Sequence, residues 1–471
     1  MTKDLIFDVG GLILYSIIIL TAFYYTKRQD KDKFHGMAFE ALGSYRFGPL
    51  VIAVLMSATM LGPADAMALS QNGLKYGALW AFFPMGAALA QYVSSRLFIG
   101  SINSNFSGKL SVGDIFEDHC GRISKIAVGF VTFVQSVAFS GVLVLAGGQI
   151  LQAFIEIPLV YGMLITAIFV GAYTSVGGMN AVNNTDKIQI VFMIVLLLLS
   201  IMAVIMFFVD KPEIDFADVL IKKNFYNDHS LKVALSLFFA YFMGEMLLPA
   251  YTIRAIMAKD SLSATNGFLL ASIFLAIWYL VITLAGSIGF FVQHEGAHEV
   301  ILLDIVRSLV PVDSILWGFL GMFVFTGLLA LTHSTFDSFL NVGAVAFSRD
   351  FMGGILSLTD SQQSWLAQKM AMSIAVLGVI ISIWSRDLIE ILMIGYTVWV
   401  PSLLVPFAWI ILNPDKKLSV LGFCCGLIAG VFGWFFFEYV FDLYIPGILA
   451  GFFFNLFVLM AFQGLVGEKK V

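Results

Sequence analysis

Charge is what this 471-residue sequence has least of: 12% of its residues are charged and 60% are hydrophobic. Soluble domains carry about 25% charged residues, so most of this chain is expected to lie in lipid. The net charge is −5 and no basic tract occurs, which gives no indication of nucleic-acid binding. The three cysteines, Cys120, Cys424 and Cys425, lack disulfide or zinc spacing and are interpreted as inert core thiols.

Signals for processing or for an appended domain are also missing. The first apolar run, residues 5–25, lacks a small-residue cleavage site and ends in "YYTKRQDKDK", so an uncleaved transmembrane helix is predicted. No soluble domain or linker appears, which argues against a fused receptor or kinase. An enzyme is not expected, since the sequence has no nucleophile elbow or phosphate loop, and "GAHEV" lacks the second histidine of a zinc helix.

Long apolar runs are abundant, and with about 20 residues per crossing they predict thirteen transmembrane helices. The predicted spans are 6–26, 47–71, 77–102, 124–154, 159–177, 185–209, 231–257, 267–292, 314–347, 364–384, 388–412, 418–438 and 443–465. Eighteen of the lysines and arginines then fall on one side and eight on the other. Because the cytoplasmic side carries the excess, the N-terminus is predicted outside and the C-terminus inside.

Two of these spans contain helix breakers beside a carboxylate. The second span reads "MSATMLGPADAMALSQNG" and has Gly62-Pro63 next to Asp65, and the seventh reads "YFMGEMLLPAYTIR", with Glu245 and Pro249 near its middle. Irregular backbone at membrane depth survives only where protein or a watery cavity covers it. An ordinary proline kink explains either break alone. Paired breaks at matching positions of two groups of five spans point instead to a transporter's binding site.

The ninth span, "GLLALTHSTFDSFLN", carries a polar stripe of Ser334, Thr335, Ser338 and Asn341. Hydroxyls and unwound backbone carbonyls are suitable ligands for a hard cation, although such a stripe also packs helices together. His333 and Asp337 are four residues apart, so they are placed to pair across one turn. Ionisable groups at this depth indicate function, and a mutually neutralised pair is the alternative.

The sixth span begins "SVGGMNAVNNTDKIQ", which is typical of a helix end, a short loop and an N-cap at Thr185. "GGMNAVNNTDKIQ" also resembles the GG-x-x-AV-x-x-TD-x-x-Q motif of sodium/solute symporters, the family of bacterial proline, sialic acid and galactose transporters and mammalian sodium–glucose cotransporters. Arg254-Ala255 with 258–260 (Ala-Lys-Asp) is similar to that family's R-x-x-A-A-K run, and the "SRD" after the ninth span resembles its acidic end.

This resemblance covers essentially the whole chain and implies an all-α, LeuT-like fold with a five-plus-five inverted repeat. The implied organisation is an extra N-terminal helix and loop (1–45), a transport core (46–412, with repeats 46–210 and 228–412) and two extra C-terminal helices (413–471). It also implies Na⁺ as the coupling ion, with no organic cofactor. The partners are then a small solute, sodium and the lipid bilayer.

The family's sodium site, carried over residue by residue, falls on the hydroxyls of Ser334 and Thr335 and the carbonyls of Ala58, Leu61 and Leu331. A second cation site, as in the sialic acid transporters, would fall on Asp186, Asp337 and Ser338. Asp337 stands where those carriers have a serine, and His333 beside it leaves proton coupling open.

Asp65 and Glu245 fall in the family's substrate region, and the sugar-binding pattern is otherwise missing. A buried carboxylate persists when a cation neutralises it, so the predicted solute contains an amine: an amino acid or a cationic amine. Asp65 has other interpretations: a cation ligand, a protonated carboxyl or a partner of His333. Aromatic residues that could line the pocket by cation–π contacts are Trp80, Phe82, Phe83, Phe242, Tyr396 and Trp399, with Phe83, Phe242 and Trp399 as the retained candidates.

The sequence therefore predicts a sodium symporter that works by alternating access, in the membrane of a bacterial cell. Alternatives are a transporter-like solute sensor without net transport, and a symporter of an uncharged or anionic solute, coupled to sodium or to protons. A monomer suffices for transport. Glycine spacing at 422, 426 and 430, and at 447 and 451, leaves a dimer face open, with tight packing as the plainer interpretation.

Overall fold

The computed structural model describes residues 3–29, 46–221, 231–292, 300–310, 314–440 and 446–467. The regular structure of these residues is helical, apart from one isolated bridge between Phe47 and Ala258. The helices are α1 (Lys3–Gln29), α2 (Pro49–Met60), α3 (Ala64–Tyr76), α4 (Met85–Leu97), α5 (Ile99–Phe106), α6 (Val112–Cys120), α7 (Arg122–Ile155), α8 (Leu159–Asp210), α9 (Phe216–Leu220), α10 (Leu231–Gly244), α11 (Pro249–Ile256), α12 (Ser261–Val292), α13 (Ile301–Arg307), α14 (Ile315–Val345), α15 (Gly353–Ile355), α16 (Asp360–Trp384), α17 (Leu388–Trp399), α18 (Val405–Leu412), α19 (Val420–Phe435) and α20 (Gly447–Gly467).

Four irregular helical turns complete the described chain. A 3₁₀ turn spans Ala78–Phe82, and π-helical turns span Ala346–Met352, Val400–Leu404 and Phe436–Val440. The π-helical turns join α14 to α15 and α17 to α18, and the last one extends α19. They keep the long apolar helices continuous across local changes of helical pitch.

The described residues form ten helices that are long and apolar enough to cross a membrane, or eleven if the bent pair α2 and α3 is one span. Two predicted spans, 159–177 and 185–209, lie on the two sides of a kink within α8, whose residues Leu159–Asp210 comprise two helical segments. Gly178 alone has non-helical backbone there, with φ 53° and ψ −154°. The predicted span 77–102 is divided between the 3₁₀ turn, α4 and α5. The count of thirteen and the orientation of the termini stay predictions.

The prediction of an N-cap at Thr185 is wrong. Thr185 lies inside α8, and its hydroxyl donates hydrogen bonds to the carbonyls of Ala181 (2.9 Å) and Val182 (3.0 Å). A threonine hydroxyl inside a helix commonly donates to a backbone carbonyl three or four residues earlier. The first helical segment of α8 therefore ends at Gly178, and the second one already includes Thr185.

The first predicted break is confirmed. Helix α2 ends at Met60, α3 begins at Ala64, and their axes differ by 61°. Proline has no N–H to donate to the preceding turn, and its ring clashes with that turn's carbonyl, so a helix cannot run straight through Pro63. The last carbonyls of α2 are consequently released from the helical ladder.

The second predicted break is confirmed as well. Helix α10 ends at Gly244 and α11 begins at Pro249, and Leu247 between them has a left-handed backbone with φ 58°. Glycine is required at 244 because a Cβ there would overlap the ring of Tyr396. The broken helix thus packs directly on α17.

Helix α14 occupies the centre of the fold. Every residue from Val324 to Ala344 is buried, and the helix packs on α7, α8 and α1. The polar stripe predicted on this helix therefore faces other helices. The exposed fraction is at most 2% for each of Asp337, Ser334 and Ser338.

Candidate functional site

The first part of the site lies where α14 crosses the broken end of α2. The hydroxyl of Thr335 donates to the carbonyl oxygen of Leu61 at 2.8 Å and lies 3.4 Å from that of Ala58. Leu61 is the C-cap of α2, so the break at Gly62-Pro63 leaves its carbonyl without a helical partner. The structure thus brings three of the five residues predicted for the sodium site into direct contact.

The other two residues lie one turn of α14 apart from each other. Ser334 donates to the carbonyl of Leu331 at 3.3 Å, and both residues are fully buried. All five predicted ligand groups are neutral oxygens, from two hydroxyls and three carbonyls. Such oxygens replace the hydration shell of a hard cation without adding a buried negative charge.

A cavity adjoins this cluster and extends to both breaks. Thr335 and Gly62 belong to its walls, together with Asp65 and Glu245. The complete lining is Met60, Gly62, Pro63, Ala64, Asp65, Phe139, Val142, Leu143, Glu245, Tyr251, Thr335, Phe339, Leu392 and Tyr396. The two predicted substrate carboxylates are therefore neighbours in one chamber.

Asp65 lies in the first turn of α3, just after the first break. Its Oδ2 accepts a hydrogen bond from the backbone N–H of Gly62 at 2.9 Å, and its carbonyl accepts one from Trp278 Nε1 at 2.7 Å. The N-terminal end of a helix also favours a negative charge. The carboxylate consequently fixes the geometry of the break while facing the cavity.

Glu245 lies inside the second break. Its carboxylate accepts hydrogen bonds from the hydroxyls of Tyr251 and Tyr396, and its backbone carbonyl accepts one from Gln91 Nε2 at 2.7 Å. Tyr251 belongs to α11 and Tyr396 to α17. Glu245 thus links α11, which follows the break, to the neighbouring helix α17.

The retained aromatic candidates do not line this cavity. Phe83 packs its ring against Trp80 at 5.6 Å between centroids, and Phe242 stacks on Phe238 at 6.3 Å. Trp399 donates from Nε1 to the carbonyl of Met246 at 3.0 Å. These side chains stabilise the helix packing around the breaks instead.

The aromatic residues that do line the cavity are Phe139, Tyr251, Phe339 and Tyr396. Tyr396 was among the wider set of sequence candidates. Phe139 comes from α7 and Phe339 from α14, and their rings lie 4.4 Å apart between centroids. No sequence signal distinguishes them from the other phenylalanines, since the chain contains 46.

The residues predicted for a second cation site are brought together around an arginine. Arg254 Nη2 donates to Asp186 Oδ2 at 2.7 Å and to Ser338 Oγ at 3.0 Å. The third predicted ligand, Asp337, accepts at Oδ2 from Tyr173 at 2.8 Å, and the same oxygen lies 3.3 Å from the hydroxyl of Thr185. The R-x-x-A-A-K resemblance had identified Arg254 as a motif residue without placing it in the site.

The predicted pairing of His333 with Asp337 is absent from the described residues. His333 packs its ring between those of Tyr15 and Phe169, with centroid distances of 5.4 and 5.3 Å. Its Nδ1 and Asp337 Oδ1 each lack a hydrogen-bond partner in the described part of the chain. The imidazole is directed to α1 and α8, to which Tyr15 and Phe169 belong.

Two interrupted helices that share a cavity with a hydroxyl and carbonyl cluster define the chain as an ion-coupled secondary transporter. The fold agrees with this class: the structure of a Na⁺-coupled sialic acid symporter in a substrate-bound, outward-open state aligns with a TM-score of 0.76. That alignment has 14% identity and covers 98% of this chain and 97% of the other. Residues 41–413 match the model of the sodium:solute symporter family, and the chain belongs to this family.

Two bacterial relatives illustrate the range of this family. The sodium/proline symporter of Haemophilus influenzae is 23% identical over 90% of this chain and 86% of that protein. The sodium/pantothenate symporter of the same organism is 27% identical over 59% of this chain and 60% of that protein. Members of the family are transporters, so this chain is a multi-pass membrane protein that couples the symport of a solute to sodium.

Proposed function

We propose that this symporter carries a small amine-containing solute, an amino acid or a cationic amine, together with sodium. The observation that carries the proposal is the pair of carboxylates, Asp65 and Glu245, in the walls of one cavity. The described lining residues include no lysine, arginine or histidine. A positively charged solute group would therefore supply the charge that this chamber lacks.

The chemistry of the walls supports an amine. Two carboxylates desolvated in one chamber are unfavourable unless a cation or hydrogen-bond donors accompany them. The carboxylate of Glu245 already has two tyrosine donors, whereas that of Asp65 has a hydrogen bond from the Gly62 amide. Asp65 is accordingly the proposed partner of the amine, and the rings of Phe139 and Phe339 add cation–π attraction.

Sodium would bind beside this cavity at the carbonyls of Ala58, Leu61 and Leu331 and the hydroxyls of Ser334 and Thr335. The contact of Thr335 with Leu61 supports this assignment, since it ties α14 to the broken end of α2. A cation there would hold the break in the conformation that presents Asp65 to the solute. Rocking of the helices that contain the breaks would then give alternating access.

Other solute classes fit the cavity less well. An anionic solute would meet two carboxylates, and like charges at close range cost several kcal/mol. An uncharged solute would bring no positive charge to the two carboxylates. A solute sensor with the same fold is distinguished by the absence of net uptake. Proton coupling through His333 lacks support, because Asp337 pairs with other residues.

We place the protein, as a monomer, in the inner membrane of a bacterium.

The test is uptake by purified protein in liposomes under an inward sodium gradient. The labelled solutes are a quaternary ammonium compound, a primary amine, a zwitterionic amino acid and a monocarboxylate. Asp65→Asn should weaken binding of the preferred amine about 30-fold or more, since losing one partner of a buried charge pair costs about 2–5 kcal/mol. Asp210→Asn, at an exposed carboxylate that is the last residue of α8, is the matched control. Unchanged amine affinity in Asp65→Asn, or uptake of the monocarboxylate alone, would refute the amine assignment.

A further inference from the structure

The chamber beside the first break offers hydrogen-bond acceptors and apolar surface to a solute. Asp65 and Glu245 supply the charge of its described walls, and both charges are negative. We propose that the solute is a cationic amine with an apolar body and without a carboxylate of its own, because Asp65 already takes the place of that carboxylate. This inference narrows the proposed amine-containing solute, on which it rests, and excludes a zwitterionic amino acid.

Asp65 accepts from the backbone amide that a solute carboxylate would need at the first break. The N–H of Gly62 donates to Asp65 Oδ2 at 2.9 Å, and the next residue, Pro63, has no N–H. The backbone of Asp65 is also held, since its carbonyl accepts from Trp278 Nε1 at 2.7 Å. A solute carboxylate at the Gly62 amide would therefore have to displace a carboxylate that belongs to the protein.

The side-chain donors in the described lining are already engaged. They are three hydroxyl groups, and each has a single hydrogen to donate. Tyr251 and Tyr396 donate theirs to the carboxylate of Glu245. The hydroxyl of Thr335 donates to the carbonyl of Leu61 at 2.8 Å. The described walls consequently leave no side-chain donor for a solute carboxylate, whereas the two wall carboxylates can accept from an ammonium group.

The charge balance of the chamber favours the same solute. Thr335 is both a proposed sodium ligand and part of the cavity wall, so the sodium ion would lie beside the solute. With a cationic amine, the ammonium group and the sodium ion balance the two carboxylates of Asp65 and Glu245. An amino acid would add a third carboxylate, which would remain as an unbalanced buried charge. Such a charge is strongly unfavourable.

The rest of the lining favours an apolar body on the amine. Its large apolar side chains are Met60, Phe139, Val142, Leu143, Phe339 and Leu392. The rings of Phe139 and Phe339 are 4.4 Å apart between centroids. A hydroxyl or amide group of the solute against these side chains would lose its water without gaining a hydrogen bond, which is unfavourable. An alkyl or aryl group would instead bury apolar surface.

The experiment compares amines with the amino acids that differ from them by one carboxylate. Calorimetry in NaCl measures binding to the purified full-length protein for three pairs: ethylamine and alanine, isopentylamine and leucine, and phenethylamine and phenylalanine. In the pair that binds most tightly, the amine should bind at least about tenfold more tightly than the amino acid, since a buried charged group without a partner costs at least that much.

Two substitutions of Asp65 separate its charge from the place that it fills. Asp65→Ala removes the carboxylate and vacates the Gly62 amide, so the amine should lose affinity and the amino acid should gain it. Asp65→Asn keeps an oxygen for that amide, so the amine should lose affinity without a gain for the amino acid. Asp210→Asn, at the exposed end of α8, is the control and should bind both compounds as the wild type does.

Two results would overturn the inference and leave the amine-containing solute in place. One is a smaller preference for the amine in the wild type, or a preference for the amino acid. The other is a folded Asp65→Ala variant in which the amino acid gains no affinity. Failure of the proposed function has a different signature. The wild type would then bind neither member of any pair, or it would bind propionate, isocaproate or hydrocinnamate, which carry the carboxylate without the amine.

Discussion

Replacement of Thr335 by valine isolates the contribution of one hydroxyl to the proposed sodium site. Valine keeps the branched shape of threonine, and position 335 is 5% exposed. The lost hydroxyl is the group that lies 2.8 Å from the carbonyl of Leu61 and 3.4 Å from that of Ala58. The carbonyls themselves remain, so the change removes one of five proposed sodium ligands and leaves the backbone of the break in place.

The expected loss follows from the strength of one contact to a charged group. Such contacts contribute about 1.5–3 kcal/mol, which weakens sodium binding roughly 10- to 150-fold. Sodium at about 100 times its dissociation constant stabilises the wild type by about 2.7 kcal/mol. At the same concentration, a site weakened 30-fold would contribute only about 0.9 kcal/mol.

The measurement is thermal unfolding of detergent-purified protein in NaCl and in KCl at equal ionic strength. Taking the difference between the two salts within each variant cancels the hydrogen bond that valine also removes from the sodium-free protein. Thr335→Ser is the matched control, since it retains the hydroxyl and should keep most of the sodium-specific stabilisation. If Thr335→Val kept a sodium-specific stabilisation equal to that of the wild type, the site would have been placed wrongly.

Two further predictions concern groups outside the cavity. Burial raises the pKa of Asp114, but the charges of Arg349 and Lys125, each 2.9 Å away, outweigh it and hold this pKa below its usual value. The resulting stability is present near neutral pH and lost as the pH falls through the folded-state pKa. Asp114→Asn should therefore destabilise the protein by about 2 kcal/mol at pH 7 and by progressively less as the pH is lowered. A difference in unfolding temperature between the wild type and this variant that does not change with pH would contradict this. Gly286→Ala should severely reduce the yield of folded protein, because the added Cβ would overlap a backbone carbonyl of α3. Gly10→Ala is the control and should be tolerated, since the space around Gly10 is open. Equal yields of the two variants in size-exclusion chromatography would disprove the close packing at Gly286.

The breaks in the fold were predictable because their causes are local. Pro63 and Pro249 each remove a helical hydrogen bond whatever surrounds them. Their position in apolar runs then requires cover by protein or water, which identifies the cavity before any contact is known. The polar stripe that contains Ser334 and Thr335 was also visible from its spacing, but its assignment as a sodium site came from the family resemblance.

What could not be predicted depends on side chains that cross between distant segments. The guanidinium of Arg254 reaches Asp186, 68 positions away, and Ser338, 84 positions away. Helical periodicity places each residue on a face of its own helix, but it does not say which faces meet. The same limit applies to Phe139 and Phe339, which become cavity walls only after α7 packs on α14.

The geometry of the first break gives a physical route for coupling between sodium and solute. The break consists of three consecutive residues. The carbonyl of Leu61 is bound by Thr335, the amide of Gly62 is bound by Asp65, and Pro63 separates the two helical segments. A cation that draws in the Leu61 carbonyl must also orient the Gly62 amide, because the two belong to one peptide unit. That amide in turn positions the carboxylate proposed to hold the amine. Linkage requires the effect to be reciprocal, so an amine bound at Asp65 would tighten sodium binding by the same factor by which sodium tightens the amine.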